Sequence, residues 1–108
     1  RQRAAQAEAR SRQAEARRRD LQEAVTAAQA TALQDLAAVR EELARAVERV
    51  DLARNIGELV GARYASADAS ESEYLDAQDD VTAAEFELSL VRTRQRLAEA
   101  TLLWTLGR

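Results

Sequence analysis

The side chains of this sequence with the most capacity for chemistry are carboxylates just after its midpoint. Glu73, Asp76 and Asp80 recur at intervals of three and four residues, which places them along one face of a helix. If copies of the chain assemble, such a face can form a ring of carboxylates that selects cations. The other interpretation is a solvated acidic helix face, and the spacing alone leaves both open.

The residue types that most enzymes use for nucleophilic catalysis are missing. The 108 residues contain no His and no Cys, so the common nucleophile and base pairs cannot form. No glycine-rich phosphate loop occurs, and an acidic helix face lacks the shaped loop of about six or more oxygens that a hard cation needs. We therefore expect no enzymatic activity, no metal site and no cofactor.

The composition favours long helices. Hydrophobic residues make up 46% of the chain and aromatic residues only 4%, with no Pro and three Gly. Pro and Gly interrupt helices, whereas the abundant Ala, Leu, Arg and Glu favour them. Such a profile is typical of coiled coils. We predict a single all-α domain, and no apolar run approaches the roughly 20 residues that span a bilayer.

Two apolar seams with steps of three and four residues predict two coiled-coil helices. The first helix is expected from about residue 3 to 64, and the second from about 71 to 106, ending at a glycine cap at Gly107. The first seam comprises Leu21, Val25, Ala28, Ala32, Leu36, Val39, Leu43, Ala46, Val50, Ala53, Gly57, Val60 and Tyr64. The second comprises Tyr74, Ala77, Val81, Ala84, Leu88, Val91, Gln95, Ala98 and Leu102.

Residues 65–70 interrupt this pattern and predict a turn. Ser70 and Glu73 fit a capping box, in which the serine hydroxyl accepts a hydrogen bond from the glutamate amide. The result is a long antiparallel hairpin with Val60 near Ala77. Because the first helix is longer, its N-terminal part, up to about residue 30, should extend alone beyond the end of the second helix.

Several other residues have a structural interpretation, and some of them have two. Tyr64 and Tyr74 either pack together at the hairpin end or supply a hydroxyl latch between neighbouring hairpins. Gly57 and Gly61 indicate close approach of a neighbouring helix. Residues 1–20 carry seven Arg and three acidic residues, a net charge of +4, which suggests either a solvated face or an anionic-polymer site. Phe86 and Trp104 are expected to be packing residues.

Residues 63–78 read Arg-Tyr-Ala-Ser-Ala-Asp-Ala-Ser-Glu-Ser-Glu-Tyr-Leu-Asp-Ala-Gln. This resembles the pattern R-Y-x-x-G-x-x-S-x-x-[DE]-V-L-D-A-Q of the outer membrane efflux (TolC) family. The ending Leu106-Gly107 is similar to the end of that family's returning helix. The resemblance implies that the chain is a fragment of a TolC-type α-barrel, namely its C-terminal periplasmic hairpin.

The family resemblance also implies a function and partners. The chain would be the periplasmic tunnel segment of a passive export channel in the outer membrane, homotrimeric as a full protein and without nucleic acid. Its partners would be a periplasmic adaptor (membrane fusion) protein and an inner-membrane pump. Glu73 and Asp76 match the acidic positions that ring the pore, and Asp80 continues their face. The tip that meets the adaptor would comprise Arg63, Tyr64, Ala67, Asp68 and Ser70.

Two departures from the family pattern bear on the tip. Ala67 stands where the family usually has Gly, and Tyr74 stands where it usually has Val. Because Gly tolerates a positive φ and Ala does not, we expect either strain at Ala67 or a shifted turn in which Asp68 is left-handed. The main alternative function is a generic coiled-coil scaffold or dimerisation hairpin with no transport role; the hairpin of the adaptor itself is a further one.

Overall fold

The protein is a helical hairpin in the computed structural model, which describes residues 1–107. Helix α1 spans Gln2–Ala65 and helix α2 spans Glu71–Leu106, with the turn between them. The rod measures 97 × 18 × 14 Å. The predicted all-α hairpin is therefore confirmed.

The seam between the helices consists of the residues that the spacing predicts. Every predicted seam residue of α1 from Ala32 to Val60 is buried or half-buried, and so is every one of α2 from Tyr74 to Leu102. Thr105 extends the buried seam of α2 by one more step of three. Continuous 3.5-residue spacing thus keeps one edge of each helix against the other along the whole overlap.

Polar contacts across the seam define the register of the two helices. The Glu42 carboxylate lies 3.0 Å from an Arg94 guanidinium nitrogen. Nearer the other end of the overlap, Gln29 Nε2 donates a hydrogen bond of 3.4 Å to the Thr105 carbonyl oxygen. This register agrees with the prediction that α2 ends opposite about residue 30.

The start of α1, residues 2–28, continues as a single helix beyond the end of α2, and we call it the arm. All of its residues are exposed. Leu21 and Val25, which continue the seam, are 67% and 46% exposed because α2 has ended. At 1.5 Å per residue the arm is about 40 Å long. The hairpin therefore leaves part of its own seam uncovered.

Candidate functional site

The chain reversal is closed by backbone hydrogen bonds of the Schellman type. The Ala67 amide donates to the Tyr64 carbonyl at 3.0 Å, and the Asp68 amide donates to the Arg63 carbonyl at 2.7 Å. These two bonds satisfy carbonyl groups that the end of α1 would otherwise leave free. The Arg63 guanidinium also donates to the Asp68 carbonyl at 2.9 Å. Arg63 therefore holds the turn through both its backbone and its side chain.

Ala67 adopts a left-handed backbone conformation, with φ at 61°. Of the two outcomes that the sequence allowed, the structure shows the strained alanine, and Asp68 keeps a negative φ. The Schellman geometry explains this choice, because it requires the left-handed residue at the position that Ala67 occupies. A side chain in this conformation costs about 1–2 kcal/mol. The turn is therefore strained at the position where the family pattern that it resembles usually has Gly.

Ser70 begins α2 as its N-terminal cap. Its backbone is extended, with φ −77° and ψ 161°, and its Oγ accepts a hydrogen bond of 3.0 Å from the Glu73 amide. This is the first bond of the predicted capping box. Glu71 and Glu73 lie in the first turn of α2, where negative charge interacts favourably with the helix dipole.

Tyr64 and Tyr74 stack across the hairpin just below the turn. Their ring centroids are 4.8 Å apart and their planes differ by 10°. The Tyr74 hydroxyl accepts a hydrogen bond of 3.1 Å from Gln78 Nε2. The pair therefore has the packing role that the sequence suggested. A latch through the Tyr64 hydroxyl between neighbouring hairpins stays a prediction.

The acidic residues of α2 lie below the tip and are exposed. Glu73, Asp76 and Asp80 all have solvent-accessible side chains, and Asp80 borders a shallow apolar groove with Ile56 and Ala83. Among residues 1–107, no group of His, Cys, Asp or Glu is arranged to hold a metal ion. The three carboxylates are thus placed to face a solvent-filled space or a neighbouring chain.

Two glycines of α1 face α2 near the tip. A Cβ atom at Gly57 would lie 3.3 Å from Val81 Cγ2, which is closer than most side-chain contacts. A Cβ atom at Gly61 would lie 3.7 Å from Tyr74 Cε1, an ordinary contact. Close helix approach, predicted for both, is therefore confirmed most clearly at Gly57.

A second apolar stripe, largely exposed, runs along α2 on the side away from its buried seam, and the sequence interpretation missed it. Its spacing of three and four residues was the signal that could have revealed it. We call it the outer stripe: Ala83, Phe86, Leu90, Thr93, Leu97, Ala100 and Trp104. Phe86 and Leu97 are 66% and 67% exposed. Phe86 and Trp104, which were expected to be packing residues, are 66% and 60% exposed in the single chain, and Trp104 borders Val25 and Ala28 of α1.

Comparison of the chain with protein-family models, with curated proteins and with solved structures found no match. Neither helix described in residues 1–107 contains a segment long and apolar enough to cross a membrane. The basis for a functional assignment is therefore the hairpin itself, the sequence at its tip and the apolar surface that it leaves open.

Proposed function

We propose that the chain is the periplasmic tunnel segment of an outer membrane export channel of the TolC type. The observation that carries this proposal is the coincidence of motif and fold at the tip. Residues 63–78, which resemble the family pattern, form the end of α1, the turn and the start of α2. In such a channel the turn would be the surface that docks to a periplasmic adaptor protein.

The uncovered apolar surface supports assembly into a wall of helices. Within one chain, α2 buries one seam and leaves the outer stripe exposed. A contiguous apolar stripe on a soluble surface indicates a contact with another molecule. Neighbouring hairpins arranged side by side would cover it, and three subunits of a longer protein could close such a wall into a tunnel.

The tip residues have two roles in this proposal: some form the turn that gives the docking surface its shape, and others contact the adaptor. Arg63, Ala67 and Ser70 form the turn through their hydrogen bonds and backbone conformation. Tyr64 and Asp68 have exposed side chains that can reach a partner. In this proposal the adaptor binds the turn by its shape, and an inner-membrane pump supplies the energy for export.

The carboxylates of α2 would line the narrow end of the tunnel. Glu73, Asp76 and Asp80 are exposed, and repeated around an assembly they would favour cations electrostatically. The segment has no catalytic role in this proposal and needs no cofactor.

Single-channel recordings of the channel that carries this segment would test the proposal. Replacing the three carboxylates together, as Glu73→Gln, Asp76→Asn and Asp80→Asn, should reduce cation selectivity or raise the leak conductance. A control variant neutralises three carboxylates of the arm, as Glu8→Gln, Glu15→Gln and Asp20→Asn, and should leave both properties unchanged. Recordings that are identical for the two variants and the original protein would reject the carboxylate ring, and a protein carrying this segment that forms no channel in a lipid bilayer would reject the tunnel proposal.

A second candidate function is a dimerisation hairpin of the coiled-coil type. Two observations favour it: the arm leaves part of the α1 seam uncovered, and charge is segregated along the chain. Residues 1–20 carry a net charge of +4, whereas residues 71–90 contain seven acidic residues and no Arg. A tunnel needs copies that point the same way, whereas this charge distribution favours copies that point in opposite directions. The direction of assembly therefore separates the two candidates.

A further inference from the structure

We infer that the arm of each chain packs on the outer stripe of α2 in a second, antiparallel copy of the same chain. The inference rests on the second candidate function, and it names the partner and the mode of binding. Each copy would give its arm to the other, so that the dimer has two equivalent contacts related by a two-fold axis.

The two surfaces match in length. The arm extends about 40 Å beyond α2, and the outer stripe from residue 83 to 104 spans about 32 Å, at 1.5 Å per residue. Each contact would comprise about three heptads, which is the length at which a coiled-coil seam becomes significant. The dimer contains two such contacts.

The two surfaces also match in spacing and in side-chain size. Upstream of Leu21 the α1 seam continues in the same steps of three and four, as Ala4, Ala7, Ser11, Ala14 and Arg18. These are mostly small residues, whereas the outer stripe carries the large side chains of Phe86, Leu90 and Leu97. Small residues on one helix leave room for large residues of the facing helix, so that the two surfaces can interdigitate.

Charge favours antiparallel copies over parallel ones. If two copies pointed the same way, the basic arms would lie together and so would the acidic halves of α2. In the antiparallel arrangement the arm, with its net charge of +4 in residues 1–20, lies beside about residues 77–96 of the other copy, which contain four acidic residues and three Arg. The antiparallel arrangement thus avoids placing the like charges of the two copies side by side.

The antiparallel arrangement is consistent with the shape of the hairpin. Each α1 would contact its own α2 near the tip and the α2 of the partner along its arm, so that both ends of its seam are covered. The arm would run parallel to the helix that it contacts. Val25, Ala28, Trp104 and Thr105 line an apolar hollow where the arm leaves α2, and this is the place where the end of the partner's α2 would arrive.

Association and direction can be measured on the 108-residue chain itself. Sedimentation equilibrium should give a dimer of the 11.9 kDa chain. Because the chain has no Cys, single Asp68→Cys and Gln34→Cys variants can carry donor and acceptor dyes in mixed dimers. Energy transfer should be strong at residue 34, near the two-fold axis. It should be absent at residue 68, because the two tips would be farther apart than one rod length of 97 Å.

Substitutions test which surfaces make the contact. Leu21→Glu in the arm and Leu97→Glu in the outer stripe should each raise the dimer Kd about tenfold to a hundredfold, since each places a charge in an apolar contact. Leu59→Glu is the matched control, because Leu59 is also largely exposed but lies near the tip and belongs to neither surface. It should leave the Kd within about twofold. Circular dichroism checks that all three variants remain helical, as expected for exposed sites.

The outcomes distinguish this inference from the tunnel proposal. A dimer with transfer at residue 34 only, weakened by the arm variant and the stripe variant but not by the control, supports the antiparallel exchange of arms. Strong transfer at residue 68 means parallel copies; it overturns the inference and is the result that the tunnel predicts. A chain that sediments as a monomer at all concentrations also overturns it, whereas the channel recordings test the tunnel separately.

Discussion

Ala67 has the backbone conformation that glycine adopts most readily, with φ at 61°. Ala67→Gly should therefore raise the free energy of unfolding by about 0.5–1 kcal/mol. Glycine relieves about 1–2 kcal/mol of left-handed strain, and the greater freedom of its unfolded chain offsets part of this gain. Urea-induced unfolding followed by circular dichroism measures the difference.

The control for Ala67→Gly is the same substitution in a right-handed helix. Ala38 is exposed in the middle of α1, and Ala38→Gly should lower the free energy of unfolding by about 1 kcal/mol. A destabilising effect of similar size for both variants would show that Ala67 is not strained.

Ser70 is the residue on which the start of α2 depends. Ser70→Ala removes the hydrogen bond to the Glu73 amide and should lower the free energy of unfolding by about 1 kcal/mol. Ser72 is exposed in the first turn of the same helix, and Ser72→Ala should change stability by less than about 0.5 kcal/mol. Equal thermal shifts for the two variants would contradict the assignment of Ser70 as the cap.

At the scale of the two helices, apolar packing contributes more to the hairpin than its ion pairs do. The pairs of Arg49 with Glu87, Arg54 with Glu85, and Arg94 with Glu42 all involve side chains that are between 36% and 57% exposed. Such surface pairs contribute about 0–1 kcal/mol each and weaken with salt. They fix the register, whereas the continuous buried seam supplies the main driving force for pairing.

The close approach of the two helices near the tip depends more on glycine at position 57 than on glycine at position 61. Gly61→Ala should stabilise the hairpin by about 1 kcal/mol, since the new methyl group has room and alanine favours the helix. Gly57→Ala should gain less, because its Cβ would crowd Val81 at 3.3 Å, and the bulkier Gly57→Leu should destabilise the hairpin. Denaturant unfolding of the three variants gives the order; a larger gain at Gly57 than at Gly61 would contradict the observed approach.

The whole molecule combines a self-contained hairpin with an arm that needs a partner. Cross-helix hydrogen bonds and ion pairs lie in the overlap that begins near Gln29. A chain of residues 29–108 should therefore keep the hairpin, with its thermal unfolding little changed at concentrations where both chains are monomeric. The same truncation should abolish the dimer, because the arm supplies one side of each contact. Sedimentation and circular dichroism test both expectations, and a truncated chain that still dimerises would place the interface elsewhere.

The sequence by itself determined the local features of this protein. Helix ends, the cap at Ser70 and the position of the turn depend on residues within a few positions of each other, and so they are encoded locally. The seams of both helices were also predictable, because a 3.5-residue period specifies which edge of a helix is apolar. The acidic face and the tip residues were identified for the same reason, although their function depends on copies or partners outside one chain.

Only the tertiary structure decided which apolar surface stays exposed. Helix α2 carries two stripes with the same spacing, and the sequence analysis predicted the one that meets α1 but did not identify the other. The structure buries the stripe that contains Val91 and leaves the outer stripe exposed. It also selects strain at Ala67 over a shifted turn and stacks Tyr64 on Tyr74. These features depend on contacts between residues that are distant in the chain, and such contacts form only when the two helices pair.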